Sequence, residues 1–162
     1  MKRHPDKAAL REELTQLIRA DLSTLERAHE AAREAATHEE ARPEDDKDTR
    51  ALEQSYLARG QAMRVEETSA GLLSVQAMST RVFDADEPIS VGALVLAEDE
   101  TGRIHAYYLA PHGGGVRLHG GKIQVVTPMS PLGKALVEHR AGDDCEVVVS
   151  GATRDIVITD VI

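Results

Sequence analysis

Glu44, Asp45 and Asp48 are the residues whose type and spacing come nearest to chemistry in this chain. They belong to the stretch Glu39-Glu40-Ala41-Arg42-Pro43-Glu44-Asp45-Asp46-Lys47-Asp48, which holds six carboxylates against two cations. That density of negative charge repels itself, so it is either a solvated turn or a place for a cation. Carboxylates without Cys or His are hard oxygen ligands, suited to Mg²⁺ or Mn²⁺ rather than zinc. At the start of a helix, Asp45 and Asp48 lie three apart and Glu44 and Asp48 four apart, so either pair shares a face. Two carboxylates hold Mg²⁺ weakly, because the ion dehydrates reluctantly and draws further ligands from a substrate or partner. Such a site would be completed elsewhere. The plain alternative is that Asp45, Asp46 and Asp48 only cap a helix and complement its dipole.

Two long helical segments flank these acids. From about Asp6 to about His38 the sequence is rich in Ala, Leu, Glu and Arg and has neither Gly nor Pro. Leu10, Leu14, Leu17, Ile18, Leu22 and Leu25 recur at helical spacing, and Ala28, Ala32 and Ala35 continue the stripe. Asp6 is the expected N-cap. Pro43 must end the first helix, and a second is predicted from Asp45–Asp48 to about Leu73, with Leu52, Tyr56, Leu57, Ala62, Met63, Val65 and Leu72 as its apolar positions. Helices of roughly 30 residues joined by a short link fold back as an antiparallel hairpin about 45 Å long. Its tip is the acidic corner.

After Thr80 the texture changes to strand-like runs: Ile89–Leu96, Ile104–Leu109, Ile123–Val126, Cys145–Val149 and Ile156–Ile162. Turn-formers separate them, including Asp99-Glu100-Thr101-Gly102 and His112-Gly113-Gly114-Gly115, the latter read as a hairpin turn. One short helix is predicted between Pro131 and Arg140, with Ser130 as N-cap and Gly142 as its stop. The fold class is therefore α+β. A helical hairpin over 1–78 is followed by a small α+β domain over 79–162, with the boundary near 76–81.

Several function classes are excluded by composition. With a formal net charge of −9 and 2% aromatic residues, the chain lacks the basic surface and the stacking platforms by which proteins grip nucleic acid. A single cysteine, Cys145, rules out an internal disulfide and a multi-cysteine zinc site, and reads as a small buried hydrophobe in a strand. The basic start is not followed by an apolar run, and no stretch approaches membrane-spanning length, so a cytoplasmic protein is expected. The seven histidines show no ligand-like spacing, and the serines lack a nucleophile elbow. No self-contained active site is visible.

The order of parts resembles the Gre family of bacterial transcript cleavage factors. The most specific likeness is Val125-Val126-Thr127-Pro128-Met129-Ser130-Pro131-Leu132-Gly133-Lys134-Ala135-Leu136, followed by Ala141-Gly142-Asp143-Asp144-Cys145-Glu146-Val147. Leu10-Arg11-Glu12-Glu13-Leu14 is similar to the start of the family's coiled coil, and the likeness spans essentially the whole chain. The resemblance implies an FKBP-like C-terminal domain that docks on bacterial RNA polymerase, and a hairpin that enters the polymerase secondary channel. It implies an accessory factor that stimulates the polymerase's own nuclease activity, rather than an enzyme. Tip acids would help hold the catalytic Mg²⁺, shared with the polymerase, against the 3′ end of a backtracked RNA. By matching positions, Ser130 and Pro131 fall on the docking motif, with Met129 where relatives commonly carry an acidic or amide residue. Asp45 and Asp48 match the two tip acids, although Pro43-Glu44-Asp45-Asp46-Lys47-Asp48 replaces the usual tip pattern and leaves Glu44 with Asp48 as the other pair. A monomer is expected. Two rivals remain: a channel inhibitor without cleavage activity, and a structural adaptor whose acidic corner is only a turn.

Overall fold

The computed structural model describes residues 4–40 and 49–162. Helix α1 spans Lys7–Glu40 and helix α2 spans Thr49–Ala77. Asp6 opens the first of these as expected, its side-chain oxygen accepting from the Ala8 N–H at 3.0 Å. Leu10, Leu14, Ile18 and Leu22 form a buried stripe, while Leu17 is exposed. Leu10 and Leu14 cluster with Leu72, Val75 and Met78, and Arg11 donates to the Met78 carbonyl. The start of α1 therefore lies against the end of α2, and the pair is antiparallel. Helix α2 continues past Leu73 because Val75 and the following Met78 reach the core shared with the sheet.

One expectation for α2 fails. Leu52, Tyr56, Leu57 and Met63 are exposed rather than packed. A two-helix arm has no third layer, and the facing part of α1 has given way to alanine, so large side chains there find nothing to cover them.

The domain is built on one six-stranded sheet. Its strands are β1 (Leu94–Asp99), β2 (Ile104–Leu109), β3 (Arg117–Leu118), β4 (Ile123–Val126), β5 (Asp144–Val149) and β6 (Ala152–Val161), in the order β3-β4-β2-β1-β6-β5. Every pairing is antiparallel except β2 with β4. A bulge between Leu96 and Ala97 shifts the β1/β6 register, and Thr159 Oγ1 donates to the Leu96 carbonyl there. Ser150 and Gly151, both at positive φ, make the tight β5–β6 turn.

The parallel pair corrects the reading of His112-Gly113-Gly114-Gly115. It is a crossover loop at the hairpin base, and the turn joining β3 to β4 is His119-Gly120-Gly121, all at positive φ. The expected strand Ile89–Leu96 starts late, at Leu94. Gly92 sits at φ 94°, and Ile89 exchanges backbone hydrogen bonds with Glu138 and His139 instead of joining a ladder. Helix α3 (Pro131–Leu136) is shorter than predicted, because Val137 leaves helical geometry and Glu138 turns to positive φ to make that same bridge.

Each sheet face carries a core cluster. Neighbouring tyrosines on β2 show the alternation: Tyr107 belongs to the cluster with Phe83, Leu136 and Ile158, and Tyr108 to the cluster with Leu10, Leu14 and Val75. The hairpin base is thus part of the domain's core.

Candidate functional site

The acids singled out at the tip, Glu44, Asp45 and Asp48, lie outside the described residues. What is described is the frame on either side of them. At 1.5 Å per residue the 34-residue α1 extends about 50 Å from a base fixed on the sheet. Glu40 and Thr49 bound the connecting segment at the far end. Glu40 and Thr49 are therefore carried on a different part of the molecule from the motif at Met129–Pro131.

That motif is built by local rules. Ser130 takes an extended conformation at φ −68° and ψ 157°, and Pro131 occupies the first turn of α3. Ser130 Oγ accepts from the Gly133 N–H at 3.0 Å and donates to the Thr127 carbonyl at 2.7 Å. Gly133 is required for this closure, since a Cβ there would overlap the Thr127 carbonyl oxygen. The outcome is a rigid knuckle from which Met129 projects, 76% exposed, with Pro131 exposed beside it. Behind it a groove runs between Ser130 and Leu132 on one side and Val148 and Val149 on the other.

Lys7 fastens the arm to the domain. The residue is 4% exposed, and its ammonium donates to the carbonyls of Gly92 and Ile162, at 2.9 and 2.8 Å. It lies 4.7 Å from the centroid of Phe83, which Arg81 also covers. Burial, with a contribution from Arg81, lowers its pKa to about 8, against the pull of Glu87. Nothing in the local pattern around Lys7 signals this role, because its acceptors come from distant parts of the chain.

Two further reactive groups, Cys145 and the His105–Asp99 pair, are blunted or occupied. Burial pushes the Cys145 thiol up to about 11, with Asp143 and Asp144 adding to the effect, so it is a poor nucleophile. His105 pairs with Asp99 at 2.7 Å, and Asp99 also accepts from Thr101 and Arg103. The Thr101 hydroxyl and His105 hold the Asp99 carboxyl well below the usual range. That cluster escaped sequence reasoning, although Asp99-Glu100-Thr101-Gly102 marked the turn that assembles it. Among the described residues, no group of three or more His, Cys, Asp or Glu is arranged to hold a metal ion. No helix among them is long and apolar enough to cross a membrane.

No protein-family model and no curated protein matches the chain. Among solved structures, the chain is similar to GreA factor homolog 1 (Gfh1) of Thermus thermophilus, at 22% identity over 91% of this chain and 94% of that one, with a TM-score of 0.42. It is also similar to Thermus aquaticus Gfh1, at 22% identity over 90% and 92% of the two chains, with a TM-score of 0.41. A prokaryotic transcription elongation factor GreA/GreB from Nitrosomonas europaea matches at 18% identity over 49% of this chain and 62% of that one, with a TM-score of 0.38. These structural neighbours are Gfh1 and GreA/GreB factors.

Proposed function

We propose that this protein is a transcription elongation factor that binds bacterial RNA polymerase, reaches through its secondary channel with the helical arm, and stimulates cleavage of backtracked transcripts. The observation that supports this reading is the arm itself. Two antiparallel helices are anchored at the base by Lys7, Leu10 and Leu14, the first of them is about 50 Å long, and the sequence that joins them is dense in acids. A structural adaptor has no need for six carboxylates within ten residues of sequence.

The tip offers only hard oxygen donors, which is the donor set Mg²⁺ takes. Asp45 and Asp48 would hold the ion, with Glu44 and Asp48 as the alternative pair, and its bound form would supply an activated water and charge stabilisation at phosphate. The chain's own contribution is to position those carboxylates, while the exposed Met129 and Pro131, braced by Ser130, would dock on the polymerase. Two acids hold Mg²⁺ only weakly by themselves, so activity requires the polymerase.

The test is Mg²⁺-dependent cleavage of 3′-labelled RNA in a purified backtracked elongation complex, with wild type, Asp45→Asn/Asp48→Asn and Glu44→Gln. Faster cleavage with wild type, lost on tip substitution while binding persists, is the expected result. Binding that slows both cleavage and elongation would make the protein a channel inhibitor instead, and absence of binding would overturn the reading.

A further inference from the structure

We propose that the open part of the sheet face under α3 is a binding site for a phosphate group, carried either as inorganic phosphate or as a phosphate monoester of a small molecule. The proposal is independent of the polymerase reading. Helix α3 packs its Leu132, Ala135 and Leu136 over the part of this face that includes β5. The uncovered remainder is a cavity of about 200 Å³, small for a drug-sized ligand and large enough for a small anionic group.

Three cations line it: Arg117, Lys122 and Arg154. They come from opposite sides of the fold. Arg117 lies on β3 at one edge, opposite Gln124, which itself lies opposite Tyr107; Arg154 lies on β6, opposite Val147 of the other edge strand. The fold nevertheless brings them to the lining of one cavity. None of the three makes an ion pair or a side-chain hydrogen bond among the described residues, although the chain carries a net charge of −9.

The cavity's carboxylate is Asp99, whose oxygens are taken up by Thr101, Arg103 and His105. The three cations against this one carboxylate leave a local excess of two positive charges, which matches the charge of about −1.5 to −2 on a phosphate monoester at neutral pH. Paired guanidinium groups are suited to phosphate because their planar forks donate two hydrogen bonds at once. Tyr107 lines the same cavity. Burial and Asp99 raise its phenol above the ordinary value, and Arg117 and Arg154 pull it down, so both arginines act on the same hydroxyl. Val147 and Ile156, both buried, add an apolar part to the lining.

The test is an amide and arginine side-chain NMR titration of the full chain with sodium phosphate, against sodium chloride at matched ionic strength. Phosphoserine and adenosine monophosphate, titrated separately, distinguish the free ion from an ester. Saturable shifts at His105, Tyr107 and Gln124 with phosphate or an ester, weakened at least about tenfold in Arg117→Gln/Arg154→Gln and unchanged in Arg59→Gln, are expected. Preference for the ester or for the free ion identifies the carrier within the proposal. Shifts that chloride reproduces, shifts that never saturate, or a double variant with native thermal unfolding that binds phosphate as tightly as wild type would overturn it.

Discussion

Lys7 Nζ donates to the carbonyl of Ile162 at 2.8 Å, joining the first turn of α1 to the residue that follows β6. The same ammonium reaches the carbonyl of Gly92 in the turn before β1. A single buried cation thus ties together three pieces of chain, and it sets how rigidly the arm is held.

Substituting Lys7→Met keeps the apolar stem and removes the donor, leaving the Gly92 carbonyl without that partner. The expected loss is about 1–3 kcal/mol in urea unfolding. The gap is also expected to widen as pH rises from about 8 to about 10.5. In that window the native lysine, with its pKa lowered to about 8, has released a proton that the unfolded one, at 10.5, still binds. Wild-type stability therefore gains with pH relative to the variant, by on the order of 3 kcal/mol at most. Below pH 8 the lysine is protonated in both states and the difference is flat. A gap that narrows above pH 8 would contradict the buried-cation account.

Leu14 is fully buried and Tyr56 is 63% exposed, although both stand at helical-stripe positions in the sequence. Leu14→Ala is expected to cost about 2–5 kcal/mol, and Tyr56→Ser to stay within about 0.5 kcal/mol. Chemical denaturation of the two variants checks this directly.

Acid should loosen the β1–β2 turn. The Asp99 pKa is depressed in the native state, so its contribution is fully present above the unfolded value of 3.8 and fades as pH falls below it. The Asp99→Asn variant should show a shallower loss of stability between about pH 4 and pH 2 than wild type. Thermal melts across that range supply the comparison.

Ser130 and Met129 separate scaffold from contact. Ser130→Ala removes the acceptor for the Gly133 N–H and is expected to cost about 1 kcal/mol of stability. Met129→Ser touches an exposed side chain, so its melting temperature should not move while its affinity for polymerase falls. If Met129→Ser binds polymerase as wild type does, the knuckle at α3 is structural only.

The sequence by itself determined what depends on neighbours along the chain. The helix-forming stretches on either side of Pro43, the Asp6 and Ser130 caps, the turn at Asp99–Gly102 and the burial of Cys145 were all legible, because each rests on local propensity, capping or short-range periodicity. The resemblance carried by Ser130-Pro131-Leu132-Gly133 is local in the same sense. Tertiary structure alone decided the parallel pairing of β2 with β4, the late start of β1, the exposure of one face of α2, the clasp made by Lys7 and the meeting of Arg117 with Arg154. Each of these depends on which distant segment lies opposite. Strand register and layer count are set by the summed burial of the whole core, and no window of sequence contains that sum.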